Sequence, residues 1–121
     1  MKKKCPVCRK KFTPRTSRSV YCTDKCANRA KKVRDRYGLG PDDVVALYKK
    51  QNGRCAICGT KGDVHELGFY DRPVLAIDHD HNSGLVRGLL CSACNLGIGK
   101  LADNWKTIYN AYRYVKHHKG E

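Results

Sequence analysis

Long apolar runs are missing from this sequence. None approaches the roughly twenty residues that a membrane-spanning helix needs, and Cys5 is preceded only by Met1 and the lysines at 2, 3 and 4 rather than by an apolar leader. Both absences argue for a soluble protein of a reducing cytoplasm. Acidic residues are scarce as well: 11 Asp plus Glu stand against 25 Lys plus Arg, a formal net charge of +14. So positive a surface calls for a polyanionic partner. Length is the third shortage, because 121 residues make one small domain or two miniature ones, and such domains bury too little apolar surface to stand without staples.

Cysteine, by contrast, is plentiful. The eight cysteines fall into four close pairs, Cys5/Cys8, Cys22/Cys26, Cys55/Cys58 and Cys91/Cys94. Close pairs joined across longer gaps suit tetrahedral zinc sites, and eight ligands make two sites with none left over. A secreted disulfide scaffold is the other use of so many cysteines, and the missing leader speaks against it. Positive charge that coincides with zinc modules points to nucleic acid.

The first module opens with CPVC, passes a polar basic stretch from Thr13 to Ser19, and closes with CTDKC at the head of a helix over Lys25–Tyr37. Its pattern resembles small treble-clef or ribbon zinc modules. The helix has few apolar positions besides Ala27, Ala30 and Val33, so most of its surface must stay outside a core. Arg29, Lys32 and Arg36 are expected on phosphates. Gly38, Gly40 and Pro41 break the helix and set a boundary between residues 1–37 and 38–121. Pro41 then begins a short helix with Asp42 and Asp43 in its first turn, ending near Asn52 and Gly53.

Cys55 and Cys58 supply half of the second zinc site, and Cys91 and Cys94 the rest, so this metal closes a loop and its binding is coupled to folding. The stretch from Gly59 to Arg72 reads as an irregular loop with His65 and Glu66 exposed. Val74–Ile77 reads as a buried strand running into Asp78, His79, Asp80 and His81. Asn82, Ser83 and Gly84 supply a turn, and Leu85, Val86, Leu89 and Leu90 read as the returning strand. Beyond Asn95 a helical pattern sets in, with Trp105, Ile108, Tyr109 and Tyr112 on one face, expected to be core. The basic tail of Arg113, Lys116, His117, His118 and Lys119 is expected to be solvated.

With eight cysteines filling two zinc sites, the histidines of the hairpin are free for other work. Asp78 and Asn95 offer hard oxygen ligands suited to Mg²⁺ or Mn²⁺. Imidazoles titrate near neutrality, which suits His79 to taking a proton from water. Such a set on a basic surface describes a phosphodiester hydrolase, with Arg87 and Lys100 as further nucleic-acid contacts. In a regular strand Asp78 and His79 would face opposite ways, so this chemistry requires a bulge or strand end beside Asp78.

These residues carry a resemblance. Asp78-His79-Asp80-His81, the Val86–Leu90 strand, Cys91-Ser92-Ala93-Cys94-Asn95 and the upstream Tyr37-Gly38-Leu39 and Arg54–Gly59 resemble the recombination endonuclease VII family of phage HNH nucleases, over about Tyr37 to Val115. The resemblance implies an α+β fold: a zinc-pinned ββα-metal finger with flanking helices, here preceded by the N-terminal zinc module. It implies Asp78 and Asn95 as ligands of the catalytic ion, His79 as general base, and His81 assisting the metal or the phosphate. Duplex or branched DNA would be nicked or cut, in the host cytoplasm if a phage encodes the chain. Phage packaging or replication proteins are candidate partners, and monomer and homodimer both stay open. The competing expectation is a non-catalytic zinc protein that binds DNA or RNA, a role that does not need Asp78, His79 and Asn95 together.

Overall fold

The computed structural model describes residues 1–70 and 73–119. Asp71 and Arg72, the end of the stretch expected to be a loop, lie outside the described residues, as do Gly120 and Glu121. The chain starts with a minimal antiparallel hairpin, β1 (Lys3–Lys4) against β2 (Lys11–Phe12), with Cys5 and Cys8 in its turn. Helix α1 (Asp24–Tyr37) follows. The Thr23 side chain accepts the Cys26 N–H at its start, and Gly38, at φ 71°, donates its N–H to the Arg34 carbonyl at its end. Only Cys26, Ala30 and Val33 of this helix are buried, as its composition requires.

Helix α2 (Pro41–Lys50) has proline in its first turn, and the Asp43 carboxylate accepts the Gly40 N–H at 2.8 Å. Asn52 and Gly53 then take φ of 56° and 70°, which stops the helix where expected. The following stretch is less open than its polarity suggests. One 3₁₀ turn (Val64–Glu66) leads to Leu67 and Phe69, both buried. Gly62 and Gly68 lie where a Cβ would come within 2.6 Å of the Leu75 side chain and 2.5 Å of that of Ile77, so these glycines serve close packing.

Strand β3 (Ala76–His79) pairs antiparallel with β4 (Val86–Leu90), and α3 (Ser92–Lys100) follows directly, packed on β3. These three elements form the ββα unit. The strand expected at Val74–Ile77 is displaced, because the ladder with β4 begins at Ala76 and takes in Asp78 and His79. Leu85 lies outside the return strand and is exposed.

After a break at Leu101–Asn104, helix α4 (Trp105–His118) begins, capped by the Asn104 side chain on the N–H groups of Lys106 and Thr107. Here the structure corrects the expectation of core packing. No residue of α4 is buried, and Trp105 is 71% exposed. Helical spacing does gather the aromatics on one face, but among the described residues nothing covers it.

The buried apolar residues, Val45 apart, form one contiguous cluster that joins Val7, Ala30 and Val33 of the N-terminal segment to Val44, Leu67 and Leu75 and on to Leu89. His65 adds a polar tie, its Nδ1 lying 3.0 Å from the Cys8 carbonyl oxygen. Among the described residues no helix is long and apolar enough to cross a membrane.

Candidate active site and metal centres

The eight cysteines assemble as their spacing requires. Cys5, Cys8, Cys22 and Cys26 form one tetrad and Cys55, Cys58, Cys91 and Cys94 the other, with all sulfurs of a tetrad within 4.8 Å of one another. The Cys8–Cys22, Cys22–Cys26 and Cys58–Cys91 sulfurs are each 3.6 Å apart. Four sulfurs at 2.3 Å from a tetrahedral zinc would be separated by about 3.8 Å. Burial pushes the Cys55 thiol up, but N–H groups of Cys58, Cys91 and Ile57 directed at the sulfur outweigh it and bring its pKa to about 6. Cys5 reaches about 6 for the same reasons, through Cys22, Cys8 and Val7. Burial and then its neighbouring thiols drive Cys94 up to about 12. Thiols of one tetrad shifted in opposite directions, Cys55 down and Cys94 up, are a set that a bound cation would reconcile.

The hairpin carries the expected irregularity. Asp78 pairs with Gly88 and His79 with Val86, so the register slips between Asp78 and His79 and Arg87 is the additional residue on β4. Asp78 is buried, at 6% exposure. Its carboxylate receives the Arg87 fork, Nε to Oδ2 at 2.7 Å and Nη2 to Oδ1 at 3.1 Å. The same guanidinium reaches Asp103, Nη2 to Oδ1 at 2.9 Å and Nη1 to Oδ2 at 3.3 Å. These two carboxylates raise the Arg87 pKa further. Arg87, expected on nucleic acid, is therefore engaged by Asp78 and Asp103 in this structure.

His79 is half-buried, with its ring 5.6 Å from that of Tyr37 and 4.8 Å from that of His81. Asp80 has a different occupation. Its Oδ1 accepts the N–H groups of Asn82 at 2.8 Å and Ser83 at 3.0 Å, and the Ser83 bond, followed by that from Asn82, holds its carboxyl below the ordinary carboxylate range. It shapes the turn. Asn95 is exposed on the first turn of α3. With His81 and Lys100 it lines an open cleft of about 900 Å³ floored by Pro73, Ala76 and Leu96. Lys32 and Arg36 flank a second cleft of about 420 Å³ together with Tyr37 and Tyr70. The Arg29 guanidinium lies 4.6 Å from the centre of the Tyr70 ring.

Three side chains beside this site escape sequence reasoning. Tyr37 shows there as the end of a basic helix and as part of the resemblance but with no role at the site, and Asp103 does not show at all. Gln51 gives no signal, yet its amide bonds both the N–H and the carbonyl of Leu89 on β4.

Known proteins are similar to the chain. The gene 59 protein of Mycobacterium phage D29 is 31% identical over 129 aligned positions, covering 95% of this chain and 74% of that protein. The gene 59 protein of Mycobacterium phage L5 is 31% identical over 107 positions, and the chain spans only 61% of its length. Among solved structures, the ββα-Me type II restriction endonuclease Hpy99I is similar with a TM-score of 0.43 and 20% identity, over 97% of this chain and 66% of that one. The model of the family described as recombination endonuclease VII matches residues 28–117. That match takes in the basic helix from Asn28 onward, the second cysteine tetrad, the hairpin and the two C-terminal helices up to His117, and on it the chain belongs to the recombination endonuclease VII family, a family of nucleases.

Proposed function

We propose that the chain is an HNH-type endonuclease that hydrolyses DNA phosphodiester bonds, with Asp78 and Asn95 as ligands of a Mg²⁺ or Mn²⁺ ion and His79 as the general base. One observation carries this reading: β3 ends at His79, directly after the buried Asp78, and the register with β4 slips at that same step, so the acid and the histidine sit at an irregular strand end. The donor set fits a hard divalent ion. Asp78, Arg87 and Asp103 together carry one net negative charge, and Asn95 adds a neutral amide oxygen. Such an ion, when bound, supplies charge stabilisation at the phosphate and the departing oxygen. Zn²⁺ is the metal that four thiolates at these separations suit in each tetrad.

His79 takes the proton of the attacking water. The Tyr37 ring beside it restrains the imidazole, and His81, at the edge of the cleft it shares with Asn95, approaches the phosphate. Arg29, Lys32 and Arg36 on α1 and Lys100 on α3 hold the polymer. Residues 1–37 and 38–121 serve as a DNA-gripping unit and a cutting unit, and the site of action is the cytoplasm of a phage-infected cell.

The test is supercoiled plasmid incubated with zinc-loaded protein in Mg²⁺ or in EDTA. Open circles should appear in Mg²⁺ alone, and His79→Ala should bind DNA as before yet cleave roughly 10² to 10⁴ times more slowly. Binding without any cleavage would leave a nucleic-acid-binding protein in place of an enzyme. Cleavage by His79→Ala at the wild-type rate would remove His79 as the base.

A further inference from the structure

Among the described residues Asp78 is the one buried polar or charged side chain. A carboxylate so placed needs a cation, since an uncompensated buried charge is strongly destabilising. Arg87 fills that need, covering both carboxylate oxygens, but it is shared. Asp103 holds the outer side of the same guanidinium and is only 16% exposed. Asp103 also adopts φ 51°, which side chains other than glycine seldom do. Its N–H is bonded to the Ile98 carbonyl at 2.8 Å, so the break between α3 and α4 fixes this carboxylate against Arg87.

We propose that Asp103 is a positioning residue for divalent-ion binding: it retains the Arg87 guanidinium when an ion displaces it from Asp78. The proposal rests on the reading of Asp78 as an ion ligand. Arg87 and a divalent ion seek the same two oxygens, and two cations side by side repel. Without Asp103, a displaced guanidinium would keep no carboxylate already in contact with it and would resist leaving. With Asp103 in place, Arg87 neutralises Asp78 in the ion-free protein and withdraws a short distance when the site fills. The two residues therefore act on ion binding with opposite signs. A merely structural ion pair would not, since loss of either member would loosen the site alike.

The experiment uses the full zinc-loaded chain without DNA and reads Mn²⁺ affinity by electron paramagnetic resonance of the free ion. Asp103→Asn should weaken Mn²⁺ binding about tenfold, the lower end of what partners of metal-binding side chains contribute, and Asp103→Glu should restore much of it. Arg87→Gln should strengthen binding several-fold, and adding Asp103→Asn to Arg87→Gln should change nothing further. In ion-free buffer Arg87→Gln should melt earlier and gain more from Mn²⁺ than the wild type does. If Arg87→Gln does not fold, the two Asp103 variants decide alone: equal affinity in both overturns the proposal. Weaker binding by a folded Arg87→Gln, or an Asp103→Asn effect of the same size in both backgrounds, overturns it too. Asp78→Asn runs in parallel. Unchanged Mn²⁺ binding in Asp78→Asn would refute the ion site itself, whereas loss there with wild-type behaviour of the Arg87 and Asp103 variants refutes this proposal alone.

Discussion

Replacing Gln51 by alanine should free the outer edge of β4. The Gln51 amide donates to the Leu89 carbonyl at 2.9 Å and to the Arg54 carbonyl at 2.8 Å, and its oxygen accepts the Leu89 N–H at 2.8 Å. It meets Leu89 as a neighbouring strand would. A Cβ on Gly88 would lie 2.8 Å from the same oxygen, so this face of β4 is built around the amide. After truncation the Leu89 carbonyl keeps the Ala56 N–H at 3.2 Å, and the carbonyl of exposed Arg54 can turn to water. The Leu89 N–H keeps nothing, and Leu89 is 0% exposed.

An orphaned buried donor costs about 1–3 kcal/mol. At roughly 4 °C per kcal/mol for a domain of this size, the melting temperature should fall by about 4–12 °C. Gln51→Glu should not rescue it, because the carboxylate keeps an acceptor for Leu89 but sets its second oxygen against two carbonyls. Urea denaturation of reduced, zinc-loaded protein reads the effect directly. A loss below about 0.5 kcal/mol, the range of an ordinary surface substitution, would show that Gln51 does not complete the edge of β4.

Two further outcomes follow from the packing. Deleting residues 1–36 should lower the melting temperature, since it removes Ala30 and Val33 from the shared cluster, and should make DNA binding less salt-dependent by a slope of about 0.9 for each phosphate that the deleted residues neutralise; titrations across NaCl concentration measure this, and an unchanged slope would take α1 off the phosphates. Trp105→Ala and Tyr109→Ala on α4 should each alter unfolding free energy by less than about 0.5 kcal/mol, because these side chains are 71% and 52% exposed; a loss of several kcal/mol by denaturant titration would show that the face is covered in solution.

What the sequence makes legible here is local chemistry at fixed spacing. Four cysteine pairs announce two tetrads because a tetrahedral ion sets their distances. Pro41, Asn52 and Gly53 mark both ends of α2 because each favours one kind of backbone position. The acid and histidine run before a turn implies the hairpin, and the demand for a bulge beside Asp78 follows from strand alternation alone. Periodicity is a weaker guide. It places Trp105, Tyr109 and Tyr112 on one face of α4, but a face becomes core only if another element meets it, and no spacing within the helix carries that information. Leu67 and Phe69 show the converse: glycines that make their stretch look like a loop are there because Leu75 and Ile77 approach too closely for a side chain.

The least legible residues work through partners far along the chain. Gln51 reaches Leu89, and Tyr37 meets His79, across separations that no short motif spans. Arg87 illustrates the limit most sharply. Its position in a basic chain suggests a phosphate contact, and its charge alone supports that expectation. Its surroundings give it another occupation in this structure, because a guanidinium forked on a buried carboxylate and tied to a second one is a different chemical object from a solvated arginine. Asp103 gives no signal in the sequence, and the structure places it in the turn between α3 and α4. The 2.9 Å bond to Arg87 connects that turn to the acid on which catalysis is proposed to depend, and ion binding that responds oppositely to Arg87 and Asp103 would be the mark of that connection.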